Sequence, residues 1–178
     1  MRASVFIATS LDGYIARENG DLDWLPAGGA VSDDIDNGYK AFMDTVDVCV
    51  MGRHTFEKVL TLGPWPFDEK PVVVLTSRTS GLQLLPAPNV EFMAGSPREI
   101  VARLSGRGAQ HLYVDGGNTI RRFLEAGLIQ RIIITRIPII LGSGIPLFGP
   151  MGHDIRLRHV ATRQFPSGFV QSEYAVVA

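Results

Sequence analysis

The sequence predicts an α/β domain: a mostly parallel mixed sheet flanked by helices and finished by an antiparallel C-terminal hairpin. Three observations carry this reading. Short branched apolar runs alternate with segments of helical period as far as Ile137, the pattern of strands joined by crossover helices. The stretch His111-Leu-Tyr-Val-Asp-Gly-Gly-Asn-Thr119 passes from a strand through two glycines directly into a helix. The chain then ends on two strand-like runs, 155–164 and 169–177, separated by the turn Pro166-Ser-Gly168. At 178 residues and 46 % hydrophobic content, one domain spanning 1–178 is the expectation.

Taken in order, Ala3–Ala8 is an apolar first strand, and 9–26 mixes turn formers with isolated large apolar residues, as a loop covering a site would. Ser32 is a good N-cap for a helix with Ile35, Tyr39, Phe42, Met43 and Val46 along one face. Asp47–Met51 reads as a buried strand, and Gly52-Arg-His-Thr55 turns from it into a second helix. Val72–Thr76 is a third strand, stopping at Ser77-Arg78, and Val90–Met93 a fourth. Ser96-Pro-Arg-Glu99 is a capping box with proline at the first helical position, opening a helix to about Gly106. After the diglycine element, Ile120, Phe123 and Leu124 fall on one helical face, Gly127 ends that helix, and 129–137 is a branched strand before a Gly/Pro loop.

Charge and cysteine usage exclude several classes. Seventeen basic residues against eighteen acidic ones leave a net charge of -1, so no bulk field draws the chain to nucleic acid or membrane. The single cysteine, Cys49, lies in an apolar run and reads as a core residue, which suits a reducing cytoplasm. The first apolar run is shorter than a membrane span and lacks a signal-peptide cleavage pattern. The four histidines show no metal-ligand spacing, so no metal is expected.

The diglycine turn points to an anion. Two glycines between a strand and a helix let a ligand approach the backbone, and the first amides of the helix are free donors at the positive end of its dipole. The turn lacks the full Gly-x-Gly-x-x-Gly and Walker patterns, and a glycine pair also serves simply to turn the chain.

Gly52-Arg-His-Thr55, Thr76-Ser-Arg78 and Asp115-Gly-Gly-Asn-Thr119 at three strand ends, together with the opening loop, resemble the dihydrofolate reductase superfamily. Ser10-Leu-Asp-Gly-Tyr-Ile-Ala16, the Gly20 to Trp24-Leu25 spacing and the segment from Pro138 through Leu141-Gly to Pro146-Leu-Phe148 are more similar to the reductase domain of the bifunctional riboflavin-biosynthesis deaminase/reductase and its stand-alone relatives. The resemblance covers most of the chain. It implies a three-layer α/β/α fold, NADPH as cofactor, hydride transfer to a small heterocycle or an imine/carbonyl carbon, and a homodimer whose face uses the terminal hairpin and the Ile132–Ile134 strand, segments that equally read as sheet core. The aminouracil ribosyl-phosphate reductase reaction is the expected type, with dihydropterin or dihydrofolate reduction the alternative and a non-catalytic NADP-binding module a third reading.

By that resemblance Arg53, with Ser77 and Arg78, would hold the 2′-phosphate of NADPH. Gly52, Thr55, Thr76, Gly116, Gly117, Asn118 and Thr119 would line the rest of the cofactor site, and Ala8 would offer backbone to the nicotinamide. A dianionic phosphate favours charge-assisted donors, so the arginines suit that role. Asn118 or Thr119 can also cap the helix.

A hydride acceptor usually needs a proton source. Asp36 borders the apolar stripe of the first helix and, counted back from Gly52 without a gap, matches the pterin-binding carboxylate of bacterial dihydrofolate reductases; it also reads as a solvated helix N-terminal acid. Asp12 is a turn former and a candidate substrate contact, and Trp24 either walls the substrate pocket or staples its loop. Two departures stand out. Leu60-Thr-Leu-Gly-Pro-Trp-Pro66 replaces the Asp-Asp-Pro-x-Leu-Thr segment usual in the riboflavin enzyme, and the zinc signature of its deaminase partner is absent.

Overall fold

Residues 1–26, 37–77 and 89–177 are described by the computed structural model of the chain. In chain order the strands are β1 (Arg2–Ser10), β2 (Tyr14–Ala16), β3 (Val48–Gly52), β4 (Val72–Leu75), β5 (Val90–Met93), β6 (His111–Asp115), β7 (Arg131–Ile137), β8 (Ile145–Pro146), β9 (Leu157–Gln164) and β10 (Val170–Val176). The helices are α1 (Tyr39–Met43), α2 (Arg53–Val59), α3 (Pro97–Gly106) and α4 (Gly117–Glu125). Eight strands form one sheet in the order β5-β4-β3-β6-β1-β7-β10-β9, parallel from β5 to β7 and antiparallel at β10 and β9. This is the mixed sheet expected.

Period-2 alternation along the central strands sorts the core into two faces. Val5, Val50, Val114 and Ile132 meet Ile100 and Leu104 of α3 and Ile120, Phe123 and Leu124 of α4. On the opposite face Cys49, Met51, Tyr113 and Ile133 meet Phe42 and Met43 of α1 and Phe56 of α2. Helices therefore cover both sides of the sheet, giving three layers. Phe56 and Phe123 are fully buried on opposite faces, and truncating either to alanine removes about 3–5 kcal/mol. Ile132 and Ile133 are buried within the chain, so this part of β7 is sheet core rather than a dimer face.

The structure revises the expected elements at two places. Gly38 sits at φ 82° as the N-cap of α1, a left-handed backbone that glycine adopts without strain, so a helix does not run continuously from Ser32 to Val46. The face argument for Asp36 assumed that continuity, and Asp36 itself lies outside the described residues. The 9–26 loop and the Gly/Pro loop also hold paired short strands, β2 against β8, too short to leave a readable period.

The position where the ligand cleft forms is set by topology. β3 and β6 are neighbours, with Met51 beside Asp115, yet α2 leads from β3 outward to β4 whereas α4 leads from β6 across β1 to β7. Connections leaving adjacent parallel strands in opposite directions open a crevice at their C-terminal ends.

His111 ties the lower end of this sheet together. Its Nδ1–H donates to the carbonyl of Thr45 at 2.8 Å, and its Nε2 accepts from Ser4 Oγ at 2.8 Å, the tautomer this network requires. Burial lowers its pKa below the usual imidazole value. An unfolded chain therefore takes up this proton at higher pH than the folded one, and stability falls as pH drops below about 6.5 toward the folded pKa. The His111→Gln variant should show a flatter loss of melting temperature than wild type between pH 7 and 5; parallel curves would remove His111 from the acid response.

Candidate functional site

The crevice between β3 and β6 is a cleft of about 710 Å³. Gly52, Arg53 and Thr55 line it from the first strand end, Thr76 and Ser77 from the end of β4, and Gly116, Asn118 and Thr119 from the end of β6. Eight of the residues named from sequence thus meet here. Arg78, the neighbour of Ser77, lies outside the described residues.

Close backbone approach builds the floor. Gly116 has φ 86°, and a Cβ placed on it would collide with Thr55 Oγ1, with Thr55 Cβ at 3.3 Å. A Cβ on Gly52 would meet Thr119 Oγ1 at 3.1 Å. Both threonines need the missing side chains to fit. Gly116 is also the N-cap of α4 and supplies no side-chain acceptor, so Asn118 and Thr119 do not cap the helix; Asn118 Oδ1 instead accepts from Arg121 Nη2 at 3.0 Å. Gly117 faces elsewhere: its Cβ would meet Ile15 Cδ1 at 3.0 Å and the Pro146 carbonyl at 3.1 Å, and it does not line the cleft. Of the glycine pair, Gly116 makes room for Thr55 on the cleft floor and Gly117 lets β2 and β8 pack against α4.

The wall charges are Arg53 and Arg122 against Glu57, with the His54 side chain beside them. Arg53 Nε donates to Glu57 Oε1 at 2.6 Å, leaving both terminal nitrogens of the guanidinium free of that bond. Arg122 Nη2 reaches the Gly95 carbonyl at 3.5 Å.

Sequence reasoning missed Asp115. It ends β6 on the face of Tyr113, beside the aromatic side chains of α1, with Oδ1 accepting the Gly116 amide at 2.8 Å. No lysine or arginine pairs with it among the described residues. Burial raises its carboxyl to about 6, against one opposing hydrogen bond. The available signal was strand alternation: His111, Tyr113 and Asp115 share a face, so this acid points into aromatic company rather than into the turn.

The other candidates lie apart from the cleft. Asp12 is committed to the fold, since Oδ1 accepts from Ser10 Oγ at 2.6 Å and from the Leu141 amide at 3.1 Å, and Oδ2 from the Gly142 amide at 2.8 Å. These bonds, the serine's first, hold its carboxyl below the ordinary value and clamp the opening loop to the Gly/Pro loop. Trp24 is buried with Ile137 and Phe169, against Ala8. Among the described residues its Nε1 has no hydrogen-bond partner, and neither does Asn37 Oδ1; Trp65 Nε1 is likewise unpartnered there but sits in the core beside Phe56. A second groove of about 290 Å³ opens between α1 and the β7–β10–β9 side of the sheet, lined in part by Asn37, Gln171, Arg131 and Arg163.

Fold and cleft define the class: a dihydrofolate reductase-like α/β/α protein open at its switch point. The same fold is seen in dihydrofolate reductase from Enterococcus faecalis, solved in complex with NADP(H) and RAB-propyl, at a TM-score of 0.66 and 19% identity over 99% of this chain and 97% of that one. Within the class, the chain matches the model of the RibD C-terminal domain over residues 4–171 and belongs to that family. It is 39% identical, with a TM-score of 0.90 and full coverage of both chains, to a putative riboflavin biosynthesis protein from Shewanella sp. PV-4. An uncharacterized Bacillus subtilis protein, YwjB, is 37% identical over 163 residues, 90% of each chain.

Asp115 sets a stability cost with a definite sign. Its folded pKa lies above the model value of 3.8, so ionisation is penalised in the folded state, and the penalty grows as pH rises from about 4 to 6. Asp115→Asn should therefore raise stability by on the order of 2 kcal/mol at pH 7.5 and leave it unchanged near pH 3.5. Denaturant melts at the two pH values check this, and an equal effect at both would show that ionisation is not the cause.

Proposed function

We propose that this protein is an NADPH-dependent reductase delivering hydride to a small heterocyclic or imine/carbonyl substrate, and that 1–178 acts as one domain. The observation that carries this reading is the switch-point cleft itself, where glycine at 116 and 52 lets Thr55 and Thr119 pack between the turns after β3 and β6, so that the start of α4 and Arg53 line one crevice. That cradle fits a dinucleotide pyrophosphate over the start of α4, with Arg53 and Ser77 toward a 2′-phosphate and Thr55, Thr76, Asn118 and Thr119 along the phosphates. When bound, NADPH supplies the hydride. Membership of the RibD C-terminal family supports riboflavin-type chemistry, with ribosylaminouracil the first substrate to try and dihydropterin the second.

The chain's own part is to orient and to supply a proton. Ala8 lies in β1 opposite Thr135 of β7, in the strand next to the one that ends at the diglycine turn, where its backbone can position the nicotinamide amide. Asp115, its carboxyl raised to about 6 by burial and with no cation paired to it among the described residues, is the acid this reading takes as proton donor. Asp36 stands as the sequence's candidate for the same role.

One set of measurements tests the reading. NADPH at about a hundred times its Kd should stabilise the protein by about 2.7 kcal/mol, NADH much less, and Arg53→Ala should erase the difference. With a turned-over acceptor, Asp115→Asn should lower kcat by about 10²–10⁴ and abolish the decline of rate above pH 6, whereas Asp36→Asn should leave that decline in place. Equal, negligible shifts with both nucleotides would reject the cofactor. NADPH binding without oxidation of any pterin, aminouracil or quinone-like acceptor would favour the non-catalytic module.

The homodimer is proposed through the C-terminal hairpin. β9 closes the sheet as an edge, and all eight of its residues are exposed, Leu157 and Val160 among them. Sedimentation equilibrium should give twice the 19.4 kDa chain mass, and Val160→Lys should return it to the monomer; a wild-type monomer would overturn this assembly.

A further inference from the structure

Resting on the reductase reading, we infer that Glu57 is a positioning residue for the cofactor. It aims the Arg53 guanidinium so that the two terminal nitrogens meet a 2′-phosphate as a fork, and it thereby sets the preference for NADPH over NADH. The observation is a carboxylate in a cleft that suits an anion. Among the described residues that line the cleft, Glu57 is the one acid, against Arg53 and Arg122. A phosphate is repelled by it, so its place there needs a compensating role.

The bond to Arg53 supplies that role. Arg53 opens α2, and Glu57 stands one turn further on, along the same face. Arg53 Nε donates to Glu57 Oε1 at 2.6 Å, which fixes the plane of the guanidinium and leaves the Nη1 and Nη2 edge outside the bond. That edge can pair with two phosphate oxygens at once. Glu57 Oε2 lies 3.7 Å from His54 Nδ1, so both carboxylate oxygens are turned toward side chains of α2. The side chains of Arg53 and Glu57 are 35% and 46% exposed, open enough for a ligand to reach the fork.

Helix stability does not account for the pair. Exposed pairs four residues apart contribute little, and this one runs against the helix dipole, with the cation at the first position of α2 and the acid near its end. The reverse order would suit the helix better. Arg122, the other arginine of the cleft, pairs with no carboxylate among the described residues and reaches the Gly95 carbonyl at 3.5 Å. Arg53 is therefore the one that a carboxylate holds in place. Across the width of a guanidinium, water and salt cut the repulsion between Glu57 and a phosphate to about a factor of two in affinity. Ordering a long side chain on binding costs about three- to tenfold. Holding Arg53 ready outweighs the repulsion.

The test measures NADPH and NADH dissociation constants by calorimetry on the whole chain, for wild type, Glu57→Ala, Glu57→Gln, Arg53→Ala and the double variant Glu57→Ala with Arg53→Ala. Glu57→Ala should weaken NADPH about three- to tenfold and leave NADH within about twofold. Glu57→Gln, which keeps an oxygen for Nε, should stay within about twofold of wild type for both nucleotides. In the Arg53→Ala background the second substitution should not change the ratio of the two constants further, since Glu57 acts through that arginine. Melting temperatures of the free Glu57 variants should lie within about 2 °C of wild type, which separates binding from folding. An unchanged ratio in Glu57→Ala, equal losses in Glu57→Ala and Glu57→Gln, or a further change of the ratio in the double variant would overturn the inference. A wild type without preference for NADPH overturns the cofactor reading, whereas a wild type that prefers NADPH beside an unaffected Glu57→Ala overturns the positioning role alone.

Discussion

The structure depends on one close approach: the backbone of Gly116, at φ 86°, lies against the side chain of Thr55. Two parallel strand ends can sit this close only where one chain has no Cβ, and their proximity places the turn after β3 and the turn after β6 on one cleft. The rest of the site follows from it. α4 starts without a side-chain cap because its cap position must be glycine, and its first amides are therefore left available. Thr119 fits only because Gly52 yields the matching space from the other side.

A second constraint is the separation of sign. Arg53 and Arg122 line the cleft against Glu57, whereas in residues 10–26 Asp12, Glu18, Asp21 and Asp23 outnumber Arg17. With an overall charge of -1, these opposing fields leave little net charge, so bulk composition conceals them. Asp115 is half-buried on the face of Tyr113, with no cation paired to it among the described residues. Its raised pKa is a stability cost built into the end of β6.

Most of the fold was legible from residue patterns. The central strands announce themselves by branched apolar runs, the capping box at Ser96 opens α3 as expected, and the terminal hairpin lies within a residue or two of its predicted span. That the three strand ends meet on one cleft was legible as well, because glycines, threonines and an arginine at strand ends form local signatures. The partners of Asp12, Asp115 and Gly117 were not legible, for a common reason. Each side chain or missing side chain acts on a partner distant in sequence: Asp12 on Leu141 and Gly142, Asp115 on the aromatic face built by α1, Gly117 on Ile15 and Pro146.

By itself, then, the sequence determined the layer architecture, the family likeness and the strand-to-helix diglycine turn, since these follow from local periodicity and from the freedom of glycine. Only the tertiary structure decided which glycine of the pair packs against Thr55 at the cleft and which carboxylate stays without a cation among the described residues. Those are properties of space and field between segments that are far apart along the chain, and no local pattern encodes them.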